Sequence, residues 1–369
     1  HKSTKPVTQQ ISTLTDCSQM PTVVLLHPFD AIAGSQRVAV DIANALGADG
    51  YSVEVRLGFG SDGFVSRRAG VKRFLSVNSI MVRKLLYPLW LFAIMPRVLR
   101  AVVGGEVVWA NTIHAAPAAF LAIVLSPRRV VIHVHEVRFS CVFMSFLRFA
   151  ERRGANVLCV SDYQRGVLGL KAAILPNCVS VAVDRRPQQS HRLIFVGNTS
   201  AAKGFSLFIE VARRLEDSSL TAVAFLPSRE RCNGAILAAA EAAGISLRYG
   251  VTDPKEMYDA GYLSLLCTDP DLSTETFSLV TVESMSCLVP VGCAGTGVSR
   301  EILANALAFD VTTRDPERIA SEIRGLLSEP ARYDRLVEAC RDRRSEYTFG
   351  VFQKRVLALV TRLAAGERV

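Results

Sequence analysis

RLIFVGNTSAAKGF, residues 192–205, joins a short apolar run, a polar loop entered at Gly197, and a Lys203-Gly204 pair that opens an amphipathic segment. An unbroken apolar run of this length, bounded by turn residues, is the pattern of a strand buried on both faces. From about residue 203 to 215 the apolar residues recur at helical spacing. The stretch therefore reads as strand, loop and helix, half of a β-α-β unit.

The same grammar runs through the whole chain. Downstream, LTAVAFL (220–226), ISLRYG (245–250), LSLLC (263–267) and VPVGC (289–293) are strand candidates, with helices expected near 230–243, 279–287 and 315–328. Upstream, TVVLLH (22–27), SVEVRL (52–57), EVVWA (106–110), RVVIHV (129–134) and NVLCVS (156–161) alternate with helical patterns near 36–46, 115–125 and 143–153. Apolar strands alternating with helices predict parallel sheets covered on both faces. CVSVAVDRRPQQSH (178–191) turns polar and contains Pro187, which places the linker. The expected organisation is a polar extension (1–21), two doubly wound domains (22–185 and 186–345) and a C-terminal helix (346–369), with the helical tail broken near Thr348–Gly350. In such sheets ligands bind beyond the carboxyl ends of the strands.

Half of the 369 residues are hydrophobic, enough for two sizeable cores, and the formal net charge of +9 suits anionic partners. Nucleic acid is not among the expected partners, because no zinc-finger spacing, RNA-binding signature or helix-turn-helix pattern is present. The nine cysteines include no C-x-x-C pair and several sit in apolar runs, so they read as core residues of a reducing compartment. The first twenty residues are polar, without the apolar core of a secretory signal.

The strand-end loops carry the chemistry. After 192–197, Lys203 and the following helix N-terminus form a candidate anion grip, or else Lys203 is simply solvated. After 22–27, Ala33-Gly34 precedes a helix and offers a second close approach to phosphate. His135 emerges at the end of 129–134, whereas His133 lies within that strand as a packing residue. Asp269-Pro270-Asp271 has a D-x-D form, but a turn explains it equally well. It leads into TETFSLVTVESMSC (274–287), where Glu275 and Glu283 stand in an otherwise apolar or small stretch. Acidic side chains are rarely buried without a partner, so two of them here call for a ligand or a solvent-facing surface.

Taken together, Val196-Gly197-Asn198, Lys203-Gly204, Glu275 and Glu283 as E-x7-E, and VPVGCAGTGVSREIL (289–303) resemble the family-four glycosyltransferases, the retaining group 1 family of the GT-B fold. AGSQRV, VIHVHE, CVSD and LPNCV resemble that family's N-terminal signals, and the likeness spans roughly residues 22–345. It implies two Rossmann-like domains facing across a cleft, the first binding acceptor and the second binding a nucleotide sugar. It also implies a cytoplasmic enzyme that moves sugar from a nucleoside-diphosphate donor to a glycan or lipid-linked acceptor, with no metal and no cofactor. By the same resemblance, Glu283 binds ribose hydroxyls and Glu275 those of the transferred sugar. The backbone amides of Phe277, Ser278 and Leu279 lie near that sugar. Lys203 holds the diphosphate, Gly34 and Gly197 let backbone approach it, and His135 faces the donor sugar.

Asn198 stands where the family has arginine, and Thr276 and Ser278 replace two glycines. Arg37, Arg138 and Arg300 are the cations that could compensate. The alternatives are a GT-B nucleotide-sugar epimerase and a sugar-nucleotide-binding subunit of weak activity. One further segment, VRKLLYPLWLFAIMPRVLR (82–100), is apolar and aromatic between Arg83-Lys84 and Arg97/Arg100. Its Pro88 and Pro96 predict breaks in any helix. It reads either as a helix packed on the first sheet or as an anchor on the anionic cytoplasmic face of a membrane.

Overall fold

The apolar runs do pair into two all-parallel sheets. In the computed structural model, which describes residues 21–183, 191–230, 232–295 and 297–368, the first sheet holds β1 (Val23–Phe29), β2 (Val53–Phe59), β3 (Lys72–Leu75), β4 (Val107–Asn111), β5 (Val130–Val134), β6 (Asn156–Cys159) and β7 (Ala173–Ile174). Their order is β3-β2-β1-β4-β5-β6-β7. The second holds β8 (Arg192–Val196), β9 (Thr221–Leu226), β10 (Ser246–Tyr249), β11 (Gly261–Leu266), β12 (Val291–Cys293) and β13 (Leu307–Asp310), in the order β10-β9-β8-β11-β12-β13. Residues 1–20 of the polar extension, and 184–190 of the expected linker, lie outside the described residues. Strand order reverses between β1 and β4 and again between β8 and β11, so each sheet opens its ligand crevice there.

Helices cover both faces of both sheets. On the first sheet, α1 (Gly34–Gly47) and the C-terminal α13 (Phe349–Ala364) bury Val38, Ile42, Phe352, Val356 and Val360 against one face. The other face receives α2 (Ile80–Val103), α3 (Phe120–Leu125) and α4 (Cys141–Arg153) through Trp90, Ile94, Val98, Ile123 and Leu147. Between β6 and β7 runs α5 (Asp162–Leu168). The second sheet carries α6 (Phe205–Arg214), α7 (Gly234–Ala242), α8 (Pro254–Met257), α9 (Leu279–Ser286), α10 (Gly297–Leu303), α11 (Pro316–Ser328) and α12 (Pro330–Arg344).

Several details differ from the sequence reading. Strands β3, β7 and β13 lack a long apolar run; β3 is a KRFL edge strand whose charges suit an unpaired border. The helix expected over 115–125 is 3-10 from Ile113 to Ala119, with Pro117 inside it, and α-helical only after. The break in the tail is a 3-10 turn at Ser345–Tyr347, after which Thr348 caps α13 by accepting from the Val351 N–H. Most clearly, Pro88 and Pro96 do not break α2, which is continuous over 24 residues. Each proline frees the carbonyl four residues earlier, and the residues concerned, Lys84 and Phe92, are both exposed, on the side of the helix that water reaches.

Candidate active site

Asn111, at the carboxyl end of β4, organises the floor of the first crevice. The His27 Nδ1–H donates to the Asn111 carbonyl at 2.8 Å. The Asn111 amide nitrogen donates to the Ser35 carbonyl at 2.8 Å, which turns its Oδ1 toward His135 Nε2 at 3.0 Å. An amide oxygen can only accept, so His135 carries its proton on Nε2 and leaves Nδ1 as an acceptor. Burial, together with the neighbouring His133 and His27, holds the His135 pKa well below 6.5, and burial lowers His27 to about 4. His135 is thus a neutral hydrogen-bonding group at pH 7, while His133 packs buried between Trp109 and His135.

The second crevice supplies the charged groups. Lys203 sits in the 3-10 turn Ala201–Lys203, just ahead of α6 and not within it. Gly204 follows at φ 68°, and a Cβ there would collide with the Cys267 carbonyl, so only glycine lets the lysine loop lie against the end of β11. The Lys203 ammonium pairs with Glu275. Ser278 caps α9 by accepting from the Thr281 N–H, and Leu279 opens the helix at the cavity wall while the Phe277 ring is buried against Tyr347. Glu283, one turn further in, is 5% exposed, and burial raises its pKa against the opposing pull of Arg37.

The two crevices meet. Arg37, in the first turns of α1, reaches across to Glu283 at 2.5 Å. The Thr276 hydroxyl donates to the His135 carbonyl, and the Ser161 hydroxyl to the Thr276 carbonyl, each at 2.7 Å. Glu301 of α10 accepts from the Asp162 and Tyr163 N–H groups of α5, both at 2.9 Å. Between the domains lies a cavity of about 690 Å³ lined by Arg37, Gly197, Asn198, Lys203, Leu279 and Glu283, among others. Gly34 lies against Leu279, where an added Cβ would stand 3.5 Å from Leu279 Cδ1. His135 and Glu275 approach one another through Thr276 beside this cavity, not on its wall.

The polar residues in question divide into free and committed groups. Asn198 Oδ1 accepts from the Ser200 N–H at 3.0 Å, so this side chain closes its own loop. Asp269 does the same for Asp271 N–H at 2.9 Å and lies 3.4 Å from Arg314, which makes the D-x-D a turn. Arg138 donates to the Leu272 carbonyl, and Arg300 is exposed on α10.

Family models match both halves of the chain. One described as Glycosyltransferase Family 4 matches residues 32–181, and one described as Glycosyl transferases group 1 matches residues 181–343. The chain belongs to the group 1 glycosyltransferases. It is accordingly an enzyme of that class, and its two facing sheets form the GT-B fold. The fold is shared with HepE of Anabaena, solved in complex with UDP and glucose, at 16% identity and TM-score 0.73 over 92% of this chain and 99% of that one. A glycosyltransferase from Rickettsia africae gives TM-score 0.73 at 12% identity, covering 93% and 98%. WaaG, a glycosyltransferase involved in lipopolysaccharide biosynthesis, gives 0.64 at 15%, covering 92% and 99%. No curated protein matches the glycosyltransferase in sequence.

Asn111, Ser161 and Glu301 escaped the sequence reading of this glycosyltransferase, and Thr276 entered it only as a replacement for a glycine. A polar residue directly after the apolar run EVVWA was the available signal for Asn111. The other three gain their contacts only when the domains face each other.

Proposed function

We propose that this glycosyltransferase moves a sugar, with retention of anomeric configuration, from a nucleoside-diphosphate donor to a glycan or lipid-linked acceptor in cell-surface polysaccharide or lipopolysaccharide assembly. The carrying observation is the interdomain cavity, in which Arg37, Lys203 and Glu283 meet the N-terminal ends of α1 and α9, with Glu275 beside it and paired to Lys203. Carboxylates accept from sugar hydroxyls; ammonium groups and free helix N–H groups bind phosphate. In this reading Glu283 takes the ribose and Glu275 the transferred sugar. His135 offers Nδ1 to that sugar beside the backbone of Phe277, Ser278 and Leu279, and Lys203 holds the diphosphate with backbone at Gly34, Gly197 and Asn198. Stabilising the departing diphosphate is the main catalytic contribution, and the reading assigns no protein nucleophile, no metal and no cofactor. The UDP complex of HepE supports this class of donor.

The acceptor would enter from the first domain. A cavity of about 460 Å³ lined by Phe29, Ile80, Arg83, Lys84, Tyr87, His114 and Phe143 opens beside the end of β1. Its aromatic walls and two cations suit an apolar chain bearing a phosphate. The outward face of α2 continues from it, with Leu85 and Phe92 exposed. A peripheral position on the cytoplasmic face of a membrane follows from the same reading.

A thermal-shift screen over UDP-, GDP- and ADP-sugars identifies the donor, because a ligand of the native state raises the melting temperature. Transfer and donor hydrolysis are then measured separately, and product anomers are assigned by NMR. Glu275→Gln is expected to lower kcat at least tenfold while leaving free nucleoside-diphosphate affinity within about twofold. A loss of product affinity equal to the loss of turnover would remove Glu275 from the sugar subsite. Inversion at the anomeric carbon would remove the retaining mechanism.

A further inference from the structure

Resting on that donor reading, we infer that Arg37 is a phosphate-binding residue of the site and supplies, from the first domain, the charge that Asn198 lacks in the second. Three observations converge on it. The Asn198 side chain closes its own loop and, being an amide, brings no charge. Among the described residues on the wall of the 690 Å³ cavity, Arg37 and Lys203 are the cations. Arg138 and Arg300 are elsewhere, the first bonded to the Leu272 carbonyl and the second exposed on α10. A nucleoside diphosphate carries at least two negative charges, and Lys203 alone does not balance them.

The pairing of Arg37 explains how it is kept ready. Its guanidinium contacts Glu283, and Lys203 contacts Glu275, so each cation of the site is matched to one carboxylate. A sugar nucleotide brings the complementary set: hydroxyls for the carboxylates and phosphates for the cations. Binding is then an exchange of partners in which no buried charge is left alone. Arg37 turns from Glu283 to the phosphates as the ribose hydroxyls take up Glu283. The guanidinium has five N–H donors, enough to hold phosphate oxygens in a bidentate way. Because Arg37 belongs to the first domain and Lys203 to the second, the diphosphate also ties the two domains together.

The test separates phosphate binding from the ordering of Glu283. Calorimetry with UDP, GDP and ADP, and NMR titration with the matching nucleosides, are run on wild type, Arg37→Gln, Arg37→Lys and Arg37→Gln/Asn198→Arg. Circular dichroism confirms that each variant is folded. Arg37→Gln is expected to weaken nucleoside-diphosphate binding about tenfold to a hundredfold, with nucleoside affinity unchanged or improved. Arg37→Lys keeps part of that affinity, and adding Asn198→Arg restores it to within about threefold. Equal losses for nucleoside and nucleoside diphosphate would show that Arg37 only orders Glu283, and would overturn the inference. So would unchanged diphosphate affinity in Arg37→Gln, or no recovery from Asn198→Arg, and in these cases the donor reading stands. A wild type that binds none of the three diphosphates overturns the donor reading and this inference together.

Discussion

His27, His133 and His135 lie at or near the carboxyl ends of apolar strands, where an imidazolium would be poorly solvated. Burial brings His27 to about 4 and His133 to about 3, from an ordinary 6.5. A base whose folded pKa is depressed takes up a proton more readily in the unfolded chain. Stability from these residues is therefore complete above about pH 6.5 and is lost as pH falls toward 4. At pH 5 His27 and His133 each contribute a loss of about 2 kcal/mol relative to pH 7.5. Asp41 acts in the opposite direction, since burial raises it to about 6 and favours the folded state on the acid side. Glu136 and Glu283, which burial also raises, act with Asp41 and offset part of the histidine loss on acidification. Urea midpoints between pH 7.5 and 5 check this, and His133→Leu should flatten the slope by nearly one proton. An unchanged slope in that variant would show that His133 is protonated alike in both states.

At the scale of the element, α2 carries a conflict between its prolines, its apolar outer face and its length. It is long and apolar enough to cross a membrane, yet Trp90, Ile94, Val98 and Ala101 are buried against the first domain. Arg97 is held by Glu54 and Glu106, each at 2.6 Å, which ties the helix to the sheet and removes this arginine from the set expected to meet lipid. Lys84 and Arg100 remain exposed beside Leu85, Leu89 and Phe92. A helix with this outer face should lie in a bilayer surface, each cation adding about 1 kcal/mol at low salt. Co-sedimentation with vesicles containing anionic lipid is expected for the wild type and should weaken at high salt. Lys84→Gln/Arg100→Gln should remove the salt-sensitive part, and Leu85→Gln/Phe92→Gln the rest. Absence of wild-type binding, or equal binding by both folded variants, would end the anchor reading.

For the whole molecule, the chain returns to its beginning. From the second domain, α13 crosses to the first sheet, where Phe352, Val356, Leu359, Val360 and Leu363 are buried. Tyr51 and Thr361 hydrogen-bond at 3.1 Å, and Gln353 donates to the Ala45 carbonyl at 3.2 Å. Each large apolar side chain removed costs about 1.5–3 kcal/mol, so ending the chain at residue 348 should unfold the first domain selectively. A two-step melt, or rapid proteolysis confined to residues before 180, checks this; a single wild-type-like transition would contradict it. The parallel sheets were legible because strands buried on both faces must be written as apolar runs, as in VVLLH and RLIFV. Lys203, Glu275 and Glu283 stood out in the sequence because charge in apolar or glycine-flanked segments is unfavourable without a partner. Their pairing was not legible, since 246 residues separate Arg37 from Glu283 and no local pattern records a contact across a cleft. Nor was the continuity of α2, because a proline's cost depends on whether the freed carbonyl faces solvent. The sequence by itself thus determined the central strands, most of the helices between them, and the residue types offered by each strand-end loop. Tertiary structure alone decided which cation meets which carboxylate, because that depends on how two separately folded sheets are brought face to face.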